Sequence, residues 1–139
     1  MITVQWILPG EEKSDAYQLR KDIFVLEQGF IDEFDCIDEV CEHLLLRNGG
    51  LPVATARLYE EGGVYHAGRI CVAHTFRKLG IGRRVMDAVE QRARLLGARV
   101  LELGSQLQAQ SFYEKCGYAA FGEIFYEQDC PHVMMRKDI

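Results

Sequence analysis

A chain of 139 residues, 48% hydrophobic and 27% charged, has the size and composition of one ordinary globular domain. Its 16 Lys and Arg against 21 Asp and Glu give a net charge of −5, which argues against general nucleic-acid binding but leaves room for a local basic patch. No apolar run approaches membrane-spanning length, and Met-Ile-Thr-Val-Gln-Trp at the start lacks a signal-peptide pattern. The five cysteines, with Cys71 inside an apolar run, read as reduced thiols of a cytoplasmic protein. No repeat, low-complexity tract or linker interrupts residues 1–139, so one domain is expected.

Residues 2–8 alternate through Ile2, Val4, Trp6 and Leu8 and predict a strand ended by Pro9-Gly10. Ser14 or Asp15 is placed to cap a helix with Tyr17, Leu19, Ile23, Phe24 and Leu26 on its apolar face and Gly29 at its end. Residues 29–42 crowd Asp32, Glu33, Asp35, Asp38, Glu39 and Glu42 into a loop whose spacing fails the calcium-loop pattern. It reads as a solvated acidic loop, or alternatively as a lip that attracts a cationic amine. His43–Arg47 and Val53–Tyr59, joined through Asn48-Gly49-Gly50, form a hairpin pattern. A turn over Glu60–Gly63 then leads into a strand from Val64 to Ala73.

The stretch that follows carries the chemistry. Ile70, Cys71 and Val72 precede Arg77-Lys78-Leu79-Gly80-Ile81-Gly82, and Ile81, Val85, Val89 and Leu96 then recur at helical spacing until Gly97. The first turn of a helix leaves backbone N–H groups without partners and carries partial positive charge. Two glycines allow close approach, and Arg77, Lys78, Arg83 and Arg84 add full charges. A phosphate or pyrophosphate suits such a place. A tight turn beside solvated arginines is the plainer alternative, and this stretch by itself leaves both open. It contains no P-loop, and Val85 stands where a dinucleotide fingerprint needs its third glycine.

Beyond Gly97, Val100–Leu103 predicts a short strand, Ala109–Cys116 a short helix ended by Gly117, and Tyr118–Phe125 and His132–Arg136 the last two strands. R-x-x-G-x-G between a strand and a helix resembles the coenzyme A pyrophosphate loop of the GCN5-related N-acetyltransferase (GNAT) superfamily. Gln106 to Tyr118 is similar to that superfamily's second signature, N-x-x-A-x-x-F-Y-x-x-x-G-[FY], with Gln106 in place of Asn. Leu19 to Gln28 resembles the L-R-x-x-V-F-V-x-E-Q first helix of some acetyltransferases, a feature with a counterpart in acyl-homoserine-lactone synthases. Pro131-His132-Val133-Met134-Met135 resembles the P-H-x-x-M last strand of small bacterial single-domain members, a group similar to the glyphosate-type N-acetyltransferases.

The resemblance implies an α/β (α+β) fold, with a mixed, mostly antiparallel sheet of about six to seven strands flanked by helices. It implies acetyl-CoA as cofactor and direct transfer of its acetyl group to a small primary or secondary amine in a ternary complex. Cys71, Val72, Arg77, Lys78, Leu79, Gly80, Ile81, Gly82 and Arg83 would hold the cofactor. An alkylammonium of pKa ~10 cannot attack until it loses a proton. His132 is the first choice of base, since an imidazole titrates near ~6.5, and Glu27 is the second. Tyr113 is matched to the superfamily's proton donor for the leaving thiolate.

On the acceptor side, Arg20 and Arg69 fall on two arginine positions of the glyphosate-type enzymes, and Gln106 occupies the third. The arginines point to an amine bearing a carboxylate or phosphonate, while the acidic loop points to a cationic one; the motif match favours the arginines. No metal is expected, because Cys36, Cys41 and His43, or Cys130 and His132, match no compact zinc spacing. An acyl carrier at Cys71 would imply a ping-pong route, a lesser alternative. A non-catalytic CoA-binding sensor and a lactone synthase are the competing functions. The expected partner is a small molecule, with neither nucleic acid nor membrane, and with room for a homodimer.

Overall fold

The computed structural model describes residues 1–139. Its strands are β1 (Ile2–Ile7), β2 (Glu42–Asn48), β3 (Leu51–Glu61), β4 (Val64–Val72), β5 (Val100–Gln106), β6 (Ala119–Glu127) and β7 (Cys130–Asp138). They form one seven-stranded sheet in the order β1-β2-β3-β4-β5-β7-β6, in which only β4 and β5 run parallel. The helices are α1 (Ser14–Arg20), α2 (Ile81–Leu95) and α3 (Gln110–Lys115).

The sheet is covered on both faces. Leu44 and Leu46 of β2, with Ala54 and Ala56 of β3, join the large apolar cluster built around Val85, Met86 and Val89 of α2. Leu45, between them on the strand, points the other way and packs with Ala16 and Leu19 of α1. Double coverage explains why β3 is buried continuously from Val53 to Leu58 instead of alternating, and why it extends past the Val53–Tyr59 expected from pattern.

The first helix departs from expectation. Lys13 occupies the N-cap position and no side chain caps the helix, so neither Ser14 nor Asp15 does so. After Arg20 the backbone widens into a π-helical stretch over Lys21–Glu27, with Gln28 N–H donating to Ile23 O at 2.9 Å. The wider turn shifts the apolar stripe: Ile23 and Phe24 stay buried on Cys71, whereas Leu26 is 70% exposed. Such stretches recur at functional sites.

The feature that positions the site is a split between β4 and β5. They pair only over Tyr65–Ala67 and Leu101–Leu103, and beyond that their backbones diverge. A bulge explains the divergence. Thr55 of β3 is opposite Cys71 and Arg57 is opposite Gly68, so Arg69 and Ile70 together face Ala56. Arg69 takes the left-handed φ of 49°, a conformation that costs a non-glycine residue about 1–2 kcal/mol. The kink bends β4 away just past its last pair with β5 and opens the sheet.

Candidate active site

The opening leads into a cavity of about 270 Å³, just under the roughly 300–1,000 Å³ usual for ligand pockets. β4 contributes Ala67, Gly68, Arg69 and Ile70, and β5 contributes Gly104 and Gln106. Tyr113 of α3 and His132 of β7 reach the same space, so the expected acid and base come together there.

His132 is only 6% exposed and stacks on Phe125, with ring centroids 5.5 Å apart. Its Nδ1–H donates to Cys130 O at 2.8 Å, which fixes the tautomer and leaves the Nε2 lone pair on the cavity side. Glu127, the last residue of β6, faces Nε2 at 3.9 Å, beyond hydrogen-bond length. Tyr113 lies edge-on to Phe112 and Tyr118, and burial raises its phenol well above the ordinary range. Tyr113 therefore keeps its proton at neutral pH.

At the neighbouring helix start, Lys78 and Gly80 both take positive φ (64° and 79°), and Gly80 is the N-cap residue of α2. The first backbone bond of the helix is Arg84 N–H to Gly80 O at 3.3 Å, and no side chain caps the end. The N–H groups of Ile81, Gly82 and Arg83 are thus left to an outside acceptor. Leu79 is 66% exposed on this loop. Lys78 and Arg84 have no carboxylate partner, whereas Arg83 donates to Lys115 O at 3.1 Å and ties α2 to α3. A Cβ on Gly82 would stand 3.0 Å from the Phe112 ring, so glycine keeps this floor low. Free N–H groups, dipole and unpaired cations make a donor set that fits a pyrophosphate.

Arg77 and Glu27 are placed differently from expectation. Arg77 grips both Glu27 oxygens at 2.6 and 2.8 Å, and its Nε donates to Val72 O at 3.0 Å. The Arg77 hydrogen bond holds the Glu27 carboxyl below its usual range, which makes it a weak base. Glu27 also does not line the cavity; its contact ties the π-helical stretch to the glycine loop. Cys71 is buried, and desolvation pushes its thiol up to about 12, so no thiolate carrier forms there at neutral pH.

Arg20 requires the largest correction. It is 1% exposed, does not line the cavity, and is held by Glu33 Oε2 at 2.8 Å and Asp38 Oδ1 at 2.7 Å. Arg57 joins the network by donating to Asp35 at 2.7 Å and to Asp38 at 3.0 Å. Glu33 and Asp38 are therefore not solvated loop acids, because three arginines fold the loop inward over them. Burial works to raise the Asp38 carboxyl, but the Arg20 hydrogen bond and the Asp35 N–H overcome it and bring it to about 2. Burial dominates at Glu33, which is shifted upward. Asp38 also lies beside Cys41 and His43, and both its carboxylate oxygens already accept hydrogen bonds, from Arg20, Arg57 and the Asp35 N–H.

Arg69 and Gln106 do line the cavity. Arg69 is committed to Glu33 O at 3.1 Å and Asp35 Oδ2 at 3.5 Å, and Gln106 donates to Gln28 Oε1 at 2.9 Å. Sequence reasoning missed Arg57, Glu127 and Gln128. Glu127 ends β6 just before a two-residue turn, Gln128-Asp129, in which both residues take positive φ (47° and 66°). The Gln128 Oε1 accepts the Ile31 N–H at 2.6 Å and fastens this turn to the acidic loop. Arg57 carried no sequence signal, since its place depends on facing Gly68 across the strand pair.

A family model described as an acetyltransferase (GNAT) domain matches residues 24–139. The chain is 35% identical over 131 residues to the uncharacterized N-acetyltransferase YjcF of Bacillus subtilis (strain 168), covering 92% of this chain and 94% of that protein. An acyl-CoA N-acyltransferase from Pseudomonas aeruginosa has the same fold, with a TM-score of 0.88, 28% identity and 99% of each chain covered. A GNAT family acetyltransferase from Elizabethkingia anophelis, solved with acetyl-CoA bound, shares the fold at a TM-score of 0.77 and 17% identity, over 99% of this chain and 98% of that one. The fold and the family match are those of an acyltransferase. The chain belongs to the GNAT acetyltransferase family.

Proposed function

We propose that the protein transfers an acetyl group from acetyl-CoA to a small primary or secondary amine by direct attack, with the whole chain acting as one domain. The observation that carries this reading is the meeting of His132 Nε2 and Tyr113 in one cavity, beside a helix start with unpartnered N–H groups. When bound, acetyl-CoA supplies the activated thioester carbonyl. Ile81, Gly82 and Arg83 offer backbone donors to its pyrophosphate, with Lys78 and Arg84 adding charge and Arg77 at the loop's edge. The half of β4 beyond Ala67, including Cys71 and Val72, runs along the opening where no strand pairs with that edge, which supports a place there for the pantetheine arm.

His132 Nε2 takes the proton that the amine gives up, and the new N–C bond forms as the C–S bond breaks. Tyr113 Oη, protonated at neutral pH, gives its proton to the departing sulfur. Five free cysteines support a reducing, cytoplasmic setting. Free-thiol release over an amine panel tests the reading, with His132→Ala as the diagnostic variant. The variant should lose the acidic limb of the kcat/KM pH profile while the Kd for CoA is unchanged. An unaltered profile would remove His132 from the base role, and CoA binding without turnover on any amine would favour a sensor.

A further inference from the structure

The charges around the cavity do not cancel, and the imbalance selects a class of acceptor. Arg57 spends Nη1 and Nη2 on Asp35 at 2.7 and 3.1 Å and also reaches Asp38. Arg69 is held by Glu33 Oε2 at 3.1 Å and Asp35 Oδ2 at 3.5 Å, and Arg20 closes the set on Glu33 and Asp38. Three guanidinium groups meet three carboxylates, so this network is neutral as a whole. Two other acids, Asp32 and Glu127, line the cavity, and neither has an Arg or Lys partner. Across from Glu127, His132 is a buried side chain with one nitrogen used and the other, Nε2, unpartnered and facing the cavity.

We propose that the pocket takes a cationic amine with no acid group and prefers a diamine, with Glu127 holding the ammonium form beside His132 before the proton leaves. The inference deepens the acetyl-transfer reading and rests on it for treating this cavity as the acceptor site. Glu127 sits 3.9 Å from the atom that takes the proton, so it favours both the incoming ammonium and the imidazolium formed from it. Asp32 supplies a second uncompensated negative charge for the far end of a diamine. An acceptor carboxylate has no free partner here. It would have to displace Glu33 or Asp35 from Arg69, or lie unpaired near two like charges, and both disfavour it.

The test uses three ligands of one chain length: 1,4-diaminobutane, butylamine and 4-aminobutanoate. Their Kd values are measured by calorimetry on the CoA-loaded protein, and free-thiol release is followed with acetyl-CoA. The diamine should bind best and 4-aminobutanoate worst, with steps of about fivefold at low salt, as expected for partly exposed ion pairs. The steps should shrink as salt shortens the Debye length below ~10 Å. Glu127→Gln and Asp32→Asn should each narrow the gap between the diamine and 4-aminobutanoate. Three results would overturn the proposal: 4-aminobutanoate binding as tightly as the diamine, no measurable diamine binding, or variants that weaken all three ligands equally. Selective diamine binding without thiol release supports the charge preference and counts against acetyl transfer, so the two readings fail separately.

Discussion

At the scale of single residues, the site separates groups that keep protons from groups that accept them. Burial raises the Tyr113 phenol, so it is a neutral donor at working pH, while the Cys130 carbonyl fixes His132 with Nε2 as acceptor. Tyr113→Phe removes only the hydroxyl and leaves the ring packed on Phe112 and Tyr118. Turnover should fall by ~10²–10⁴-fold, the usual contribution of a positioned proton donor, with the Kd for CoA unchanged. Thiol-release rates and calorimetry on the same preparation check both parts; wild-type turnover would leave Tyr113 a purely structural aromatic. Glu27 shows how one residue-scale contact can overrule a motif, because pairing with Arg77 depresses its basicity.

At the scale of elements, α2 and the bulged end of β4 form the proposed cofactor side. The glycine loop works through backbone geometry: Gly80 at φ 79° turns the chain into the helix, and Gly82 lets the Phe112 ring lie against its bare Cα. Gly82→Val would put a branched side chain where even a Cβ lies 3.0 Å from that ring. Overpacking of this kind costs about 1–3 kcal/mol. The variant should stay folded but melt lower, and its Kd for CoA should rise by about tenfold or more, each 1.4 kcal/mol being one factor of ten. Melting curves and CoA titrations separate the two effects. Unchanged CoA affinity would place the pyrophosphate away from this helix start.

At the scale of the whole molecule, a network of Arg20, Arg57 and Arg69 with Glu33, Asp35 and Asp38, in which Arg20, Arg57, Glu33 and Asp38 are buried, joins α1, the acidic loop, β3 and β4. Removing one partner from such a set strands a buried charge, and Arg20→Ala should cost about 3–5 kcal/mol of stability. Because Arg20 is off the cavity wall, kcat/KM for acidic and cationic amines should change by the same factor at a temperature where the variant is folded. A selective loss toward acidic amines would return Arg20 to the acceptor site. The network also carries a pH signature. The Asp38 carboxyl is depressed in the folded state, so its stabilisation is present above its ordinary value near ~3.9 and disappears as pH falls to about 2. The raised carboxyl of Glu33 works in the opposite sense at higher pH, since protonating it relieves a burial cost. Acid titration of Tm should therefore fall most steeply below about pH 4 in the wild type and less steeply in Asp38→Asn.

Local sequence determined a good part of this. The strand, glycine loop and helix from Ile70 to Gly97, the hairpin turns and the order of elements were legible because period, glycine and turn chemistry act over a few neighbouring residues. His132 and Tyr113 stood out through motifs that lie within one segment each, and the structure places both on the wall of one cavity. What only the tertiary structure decided was pairing at a distance. Arg20 reads as an acceptor residue until Glu33 and Asp38, 13 and 18 positions on, fold over it. Glu27 reads as a base until Arg77, 50 positions on, closes against it. Glu33 and Asp38 read as solvated loop acids until three arginines from α1, β3 and β4 hold them inward, while Asp32 and Glu39 stay exposed. Whether a charge meets substrate or another charge depends on which long-range partner the fold brings beside it. That choice is made by the packing of the sheet, where low dielectric makes an unpaired charge costly, and no local pattern encodes it.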